Sequence, residues 1–174
     1  TGTMQHGTGV LVDLLLIKTN SNGETLWSKT FDGGYRDRGY SVQQTTDGGY
    51  IITGRTDSSQ LNWSGDVWLI KTDSNGDEEW NQNFEGGSED YGESVQQTTD
   101  GGYIITGYTN SFGNGESDVW LIKTDSNGDS LWTKTFGGSD DDYGTSVQQT
   151  TDGGYIITGW TESYGNGETD VWLI

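Results

Sequence analysis

The chain has no cysteine, so it has no disulfide framework and no thiolate chemistry. Proline is also absent, and no stretch sustains a 3.6-residue apolar period, so the chain reads as nearly all β. Basic residues are scarce, 8 against 27 acidic ones, for a net charge of -19. That balance argues against nucleic acid, whose binding rests on phosphate neutralisation. It favours solubility, cation binding or cationic partners. No run approaches the ~18 apolar residues of a membrane span. No signal peptide is visible and Thr1 is not an initiator Met, which reads as processed or truncated termini. Hydrophobic residues make up only 29% of the chain, below the roughly 45–50% of ordinary globular domains. Low hydrophobicity with high charge can mean disorder. Here the apolar residues are clustered instead: Asp-Val-Trp-Leu-Ile occurs at 66–70, 118–122 and 170–174, and eight Trp and nine Tyr supply large buried areas.

What the chain has in abundance is repetition. Ser-Val-Gln-Gln-Thr-Thr-Asp-Gly-Gly-Tyr-Ile-Ile-Thr-Gly occurs without change at 41–54, 94–107 and 146–159, spaced by 53 and then 52 residues. A period of that size marks a repeat architecture. Each repeat reads as four short strands, at 42–45, 50–53, 67–72 and 79–84 in the first full copy. Asp47-Gly48-Gly49 and Asn75-Gly76 join them in hairpins, because such turns need positive φ.

The strands differ in pattern. The first is mostly polar, through Ser41, Gln43, Gln44 and Thr45. The second and third are apolar on both faces, and the fourth alternates, with Trp80 and Phe84 on one face. Middle strands buried on both sides require neighbours on both sides. Four-stranded antiparallel blades stacked around an axis, a β-propeller, satisfy that requirement. The polar first strand suits a narrow wet channel and the aromatic fourth strand the wide outer rim. Thr1-Gly2 aligns with Thr106-Gly107, and 13–19 aligns with 118–124. The expected organisation is therefore a partial blade at 1–31, blades at 32–84 and 85–136, and a partial blade at 137–174. About three and a fraction blades fall short of the usual four or more. The chain is expected to be a segment of a larger propeller or an assembling part of one, since bare blade faces would be large apolar patches.

The order of a Val strand, an Asp-Gly hairpin, a short apolar strand and a Trp-bearing strand is similar to the tryptophan–aspartate-repeat propellers, although their Gly-His and Trp-Asp dipeptides are missing. The segment at 118–136, Trp-Leu-Ile-Lys-Thr-Asp-Ser-Asn-Gly and then Leu-Trp-Thr-Lys-Thr-Phe-Gly-Gly, more closely resembles the roughly 50-residue repeats of large secreted or cell-surface proteins of bacteria and archaea. The resemblance implies a propeller in an extracellular or cell-surface setting and no catalytic residues.

Chemistry-bearing residues are few. His6 is the only histidine and has no Ser or Cys context. Propeller glycosidases use carboxylate pairs, and Asp90 with Asp142 is the one pair that suggests itself here. Residues 73–77 and 125–129, Asp-Ser-Asn-Gly-Asp, resemble the start of a calcium loop, but Gly is fourth where the calcium loop has it sixth, which favours a turn. No cofactor is expected, with calcium the one cation to consider. Asn62-Trp63-Ser64 fits a glycosylation acceptor. The connections at 85–92 and 108–116 are expected on one face, where Trp63, Tyr91, Phe112, Asn114, Tyr143 and Tyr164 present rings and amides suited to sugars. Weak repeated sites of this kind gain avidity. The competing reading is that the Tyr residues pack between blades.

Together these features point to a non-enzymatic structural or adhesive scaffold. Its partners would be other copies of the chain or the rest of a longer chain, with no nucleic acid and no membrane span. A lectin-like glycan-binding module is the alternative and a glycoside hydrolase the outsider.

Overall fold

The computed structural model describes residues 12–57, 65–165 and 167–174. His6 and the Asn62-Trp63-Ser64 triplet lie outside them. Among the described residues there are thirteen strands and no helix. Strands β1 (Leu14–Thr19) and β2 (Thr25–Phe31) pair as a two-stranded sheet. Strands β3 (Arg36–Gln44), β4 (Tyr50–Asp57), β5 (Gly65–Thr72) and β6 (Glu78–Phe84) form a four-stranded antiparallel sheet in sequence order. So do β7 (Asp90–Gln97), β8 (Tyr103–Thr109), β9 (Asp118–Thr124) and β10 (Ser130–Phe136). Strands β11 (Asp142–Gln149), β12 (Tyr155–Thr161) and β13 (Asp170–Leu173) make a three-stranded sheet.

The sheets stack face to face, and side-chain alternation along the middle strands shows how. In β4 and β5, Ile51, Val67 and Leu69 point into one core layer with Val95, Tyr103, Ile105, Trp120 and Ile122 of the next sheet. Ile52, Trp68 and Ile70 point the other way, against Leu14, Leu16 and Phe31 of β1 and β2. A third layer joins Ile104, Val119 and Leu121 to Val147 and Ile157. The double-sided burial expected of the second and third strands is therefore present, divided among three thin layers. The Asn-Gly hairpin of one sheet seats on the outer-strand Trp of the sheet before it. A side chain on Gly76 would strike the Trp27 ring, and one on Gly128 the Trp80 ring. Both glycines also hold positive φ, 80° and 83°.

The edge strands β3, β7 and β11 lie side by side, and their polar side chains bond one sheet to the next. Gln43 Oε1 accepts from the Gln97 backbone N–H at 2.6 Å, and Gln96 Oε1 from that of Gln149 at 2.6 Å. Ser41 and Ser94 Oγ accept from Val95 and Val147 N–H at 3.3 and 3.4 Å. Gln97 and Gln149 Oε1 reach back to Thr46 and Thr99 N–H, both at 2.9 Å. The exposed edges of β7 and β11, each a row of unpaired donors, are thus covered by side chains of the neighbouring sheet.

The first two strands of each repeat are longer than expected. The identical block ends at a glycine, which reads as a strand terminus, yet pairing continues to Arg36↔Asp57, Asp90↔Thr109 and Asp142↔Thr161. At Gly39↔Gly54, Gly92↔Gly107 and Gly144↔Gly159 the register slips by one residue, giving a β-bulge at Tyr40, Glu93 and Thr145. The bulge folds one backbone onto the other so closely that a methyl on Gly54 or Gly107 would overlap the carbonyl oxygen of Arg38 or Tyr91.

Candidate functional site

This extension moves Tyr91 and Tyr143 out of the loops where they were expected and into strands β7 and β11. Beyond the bulge, cross-strand partners carry large side chains: Arg38 opposite Arg55, Tyr91 opposite Tyr108, Tyr143 opposite Trp160. Their side chains form one continuous row across three sheets. The Arg55 guanidinium carbon lies 4.5 Å from the centroid of the Tyr91 ring. Tyr91 stacks on Tyr108 at 4.4 Å, Tyr108 meets Tyr143 at 4.1 Å, and Tyr143 stacks on Trp160 at 4.1 Å. The faces of Tyr91 and Tyr143 are therefore occupied by other groups of the protein. Burial pushes the Tyr91 and Tyr143 hydroxyls upward in pKa, and that of Tyr108 furthest. All three stay neutral at physiological pH.

The start of the row is basic. Arg36, Arg38 and Arg55 are the only arginines of the chain, and all three line a pocket of about 220 Å³ with Asp57, Glu89 and Tyr91. Arg55 is buried, with Nε 2.7 Å from Asp57 and an Nη 3.0 Å from Glu89; it also donates to the Tyr91 hydroxyl. Desolvation works against its charge, but Tyr91, Asp57 and Glu89 outweigh it, and the guanidinium is held more firmly protonated than usual.

Phe112 and Tyr164 do lie in the connections and are half exposed, each with its ring near a Trp: Phe112 5.4 Å from Trp120 and Tyr164 5.2 Å from Trp172. The Tyr164 hydroxyl donates to the Gly137 carbonyl at 2.8 Å. Asn114 is exposed, and its backbone N–H donates to Asp118 at 2.6 Å. Contacts between the connections, such as Ser88 N–H to Ser111 Oγ at 2.9 Å, put these loops on one rim. Trp63 lies outside the described residues.

Carboxylates gather where this rim meets the sheet junctions. Asp90 and Asp142 are fully buried and hold their own loops. Asp90 accepts from Thr109 and, at 2.8 Å, from Ser111; Asp142 accepts from Gly138 N–H at 2.9 Å and Ser163 at 2.6 Å. These bonds engage both carboxylates in holding the connections. Burial, then Glu85 and Asp90, pushes Asp66 up to about 6. The corresponding Asp13, Asp32 and Asp37 have carboxylate oxygens within 4.8 Å of one another. Burial raises Asp37, and one of its oxygens is engaged by Gly33 N–H at 2.7 Å. Calcium takes six to eight oxygens, so three carboxylates supply only part of a shell. In the Asp-Ser-Asn-Gly-Asp hairpins the turn reading holds. Asp73 accepts from Asn75 and Asp77 N–H at 2.8 and 2.9 Å, and Asp125 from Asn127 and Asp129 at 2.8 and 3.0 Å.

No protein-family model and no curated protein matches the chain. Among solved structures it is similar to a crystal structure of a protein of unknown function from Bacteroides caccae. The two share 15% identity with a TM-score of 0.53, over 82% of this chain and 49% of that one. The chain thus spans about half the length of that structure, and the likeness supports the all-β fold alone.

Neither the arginine pocket nor Tyr108 and Trp160 stood out in the sequence. One signal was available. Comparing the copies position by position shows Arg36, Arg38 and Arg55 where the others carry Glu89 and Asp141, Tyr91 and Tyr143, and Tyr108 and Trp160.

Proposed function

We propose that the chain is a non-catalytic scaffold of propeller type, whose four-stranded sheets stack around an axis and whose end sheets dock further sheets of the same kind head to tail, from other copies or from the rest of a longer chain. One comparison carries this reading. The same repeat position is buried inside and bare at the end: Val67 and Val119 are 1% and 0% exposed, Val171 is 92%; Leu69 and Leu121 are 0% and 4%, Leu173 is 63%. At the other end Leu15 and Ile17 are 48% and 51% exposed, where their counterparts Trp68 and Ile70 are 3% and 0%. The face with Val171 and Leu173 corresponds to the side of β5 that meets the following sheet, and the face with Leu15 and Ile17 to the side that meets the preceding one. The two ends are complementary halves of a contact made three times inside, and a heterologous contact of that kind builds rings or filaments. An apolar trough of about 370 Å³ opens between the third sheet and the three-stranded last one, lined by Trp132, Phe136 and Tyr155 among others. An extracellular or cell-surface setting accompanies this reading through the repeats it resembles.

Sedimentation over a range of concentrations tests it. The mass is expected to rise in steps of one chain, and Val171→Lys with Leu173→Lys to hold the protein monomeric while it stays folded. A wild-type chain that remains a monomer throughout overturns docking between copies. A lectin-like reading is favoured by one observation, the half-exposed Phe112 and Tyr164 rings repeated on one rim. A glycan array with Phe112→Ala and Tyr164→Ala tests it; no glycan retained at any density removes it.

A further inference from the structure

We propose that the arginine pocket binds a carboxylate-bearing ligand, with Arg38 as its principal contact and Arg36 alongside. The argument begins with register. Arg36 and Arg38 are two apart on β3 and so share a face, and Arg38 sits directly opposite Arg55 on β4. Like charges placed directly opposite one another are destabilising. The other two full strand pairs carry aromatic partners at this position, so the arginine pair is a departure from the repeat, and a second departure at Arg36 adds to the same cluster.

Arg55 is accounted for by Asp57, Glu89 and Tyr91. Arg38 is not: it is exposed, lines the pocket, and has no hydrogen bond, ion pair or ring contact with any described residue. A guanidinium presents a planar fork of donors that matches a carboxylate in two parallel hydrogen bonds. The overall charge of the chain is -19. Long-range steering opposes anions here, so affinity must come from contact. Asp57 and Glu89 at the pocket wall disfavour a dianionic phosphate and leave a single negative charge as the better fit. A volume of about 220 Å³ is below the roughly 300–1,000 Å³ of drug-sized pockets, and suits an acid group on a sugar or a small organic acid.

Chemical-shift titration of isotopically labelled full chain tests this, with sodium glucuronate, acetate, inorganic phosphate and neutral glucose as separate probes. Saturable shifts at the arginine side chains are expected with glucuronate in the millimolar range, weaker with phosphate, absent with glucose, and diminished by added salt. Tighter binding of glucuronate than acetate assigns the site to acidic sugars; equal binding assigns it to carboxylates in general. Arg38→Gln should weaken binding about tenfold to a hundredfold, the worth of charged hydrogen bonds, and Arg38→Lys should restore part of it. Because the Arg38 side chain has no partner among the described residues, both variants should keep the wild-type melting temperature. The proposal is overturned if no carboxylate saturates the pocket, if phosphate binds more tightly than glucuronate, or if folded Arg38→Gln binds as the wild type does.

Discussion

The guanidinium of Arg55 lies against the face of Tyr91 at 4.5 Å, and this contact ties the second sheet to the third at the head of a row of rings. Truncating Tyr91 removes that contact, the hydrogen bond to its hydroxyl and the stack on Tyr108 together. Tyr91→Ala is expected to cost about 3 kcal/mol, within the range for buried aromatic truncations. Tyr91→Phe, which keeps the ring, is expected to cost about 1 kcal/mol. Urea unfolding followed by tryptophan fluorescence measures both. A near-neutral Tyr91→Ala would show that the row is not a structural element.

The bulge glycines offer a sharper contrast. Gly107 has a backbone carbonyl where a side chain would be, while nothing lies near the corresponding position of Gly87. Gly107→Ala is expected to destabilise by about 3 kcal/mol, the upper part of the overpacking range, and Gly87→Ala to leave the unfolding midpoint within about 0.5 kcal/mol of wild type. Thermal melts of the two proteins side by side settle the comparison.

Asp66 is held up at about 6 by burial and by its neighbours Glu85 and Asp90. Between its ordinary value and about 6, the folded chain binds a proton that the unfolded chain releases. Asp66 therefore contributes falling stability as pH rises through that window, and a constant penalty above it. Asp66→Asn is expected to stabilise the protein at pH 7 by about 1–3 kcal/mol and to flatten the pH dependence between 4 and 6. Denaturant midpoints at a series of pH values report the slope directly.

The opposite behaviour is expected of Asp47 and Asp100. Hydrogen bonds from Thr45 and Thr98, then from the buried Lys71 and Lys123, hold both near 2. Their contribution is present above the ordinary aspartate range and is lost as pH falls toward 2. Both carboxylates are more than half exposed, so solvent screens much of it. Circular dichroism during acid titration should show Asp47→Asn with Asp100→Asn losing less stability between pH 4 and 2 than the wild type does.

The layering was legible in the sequence because the signal was local. Ile51-Ile52 and 67–70 are apolar at consecutive positions, which a strand can tolerate only between two covered faces. The hairpins were legible from Asp-Gly and Asn-Gly. The extension past Gly54 was hidden, because a bulge and a strand terminus both call for glycine. That concealment carried over to the site. Without the extension Tyr91 reads as a loop ring open to a ligand; with it, Tyr91 is a strand residue covered on one face by Tyr108 and on the other by Arg55. Arg38 and Arg55 are 17 positions apart, and only cross-strand register places them together. Asp90 and Asp142 read in the sequence as a candidate carboxylate pair, and their buried bonds come from serine and threonine hydroxyls that no spacing rule links to them.

The glutamine and serine stitching between β3, β7 and β11 uses side chains on the giving strand and only main-chain amides on the receiving one. A tandem copy inserted next to its parent therefore finds these hydrogen-bond partners at once. Growth by whole units needs no matching change elsewhere, and a gene that slips by one repeat still encodes a joint that closes.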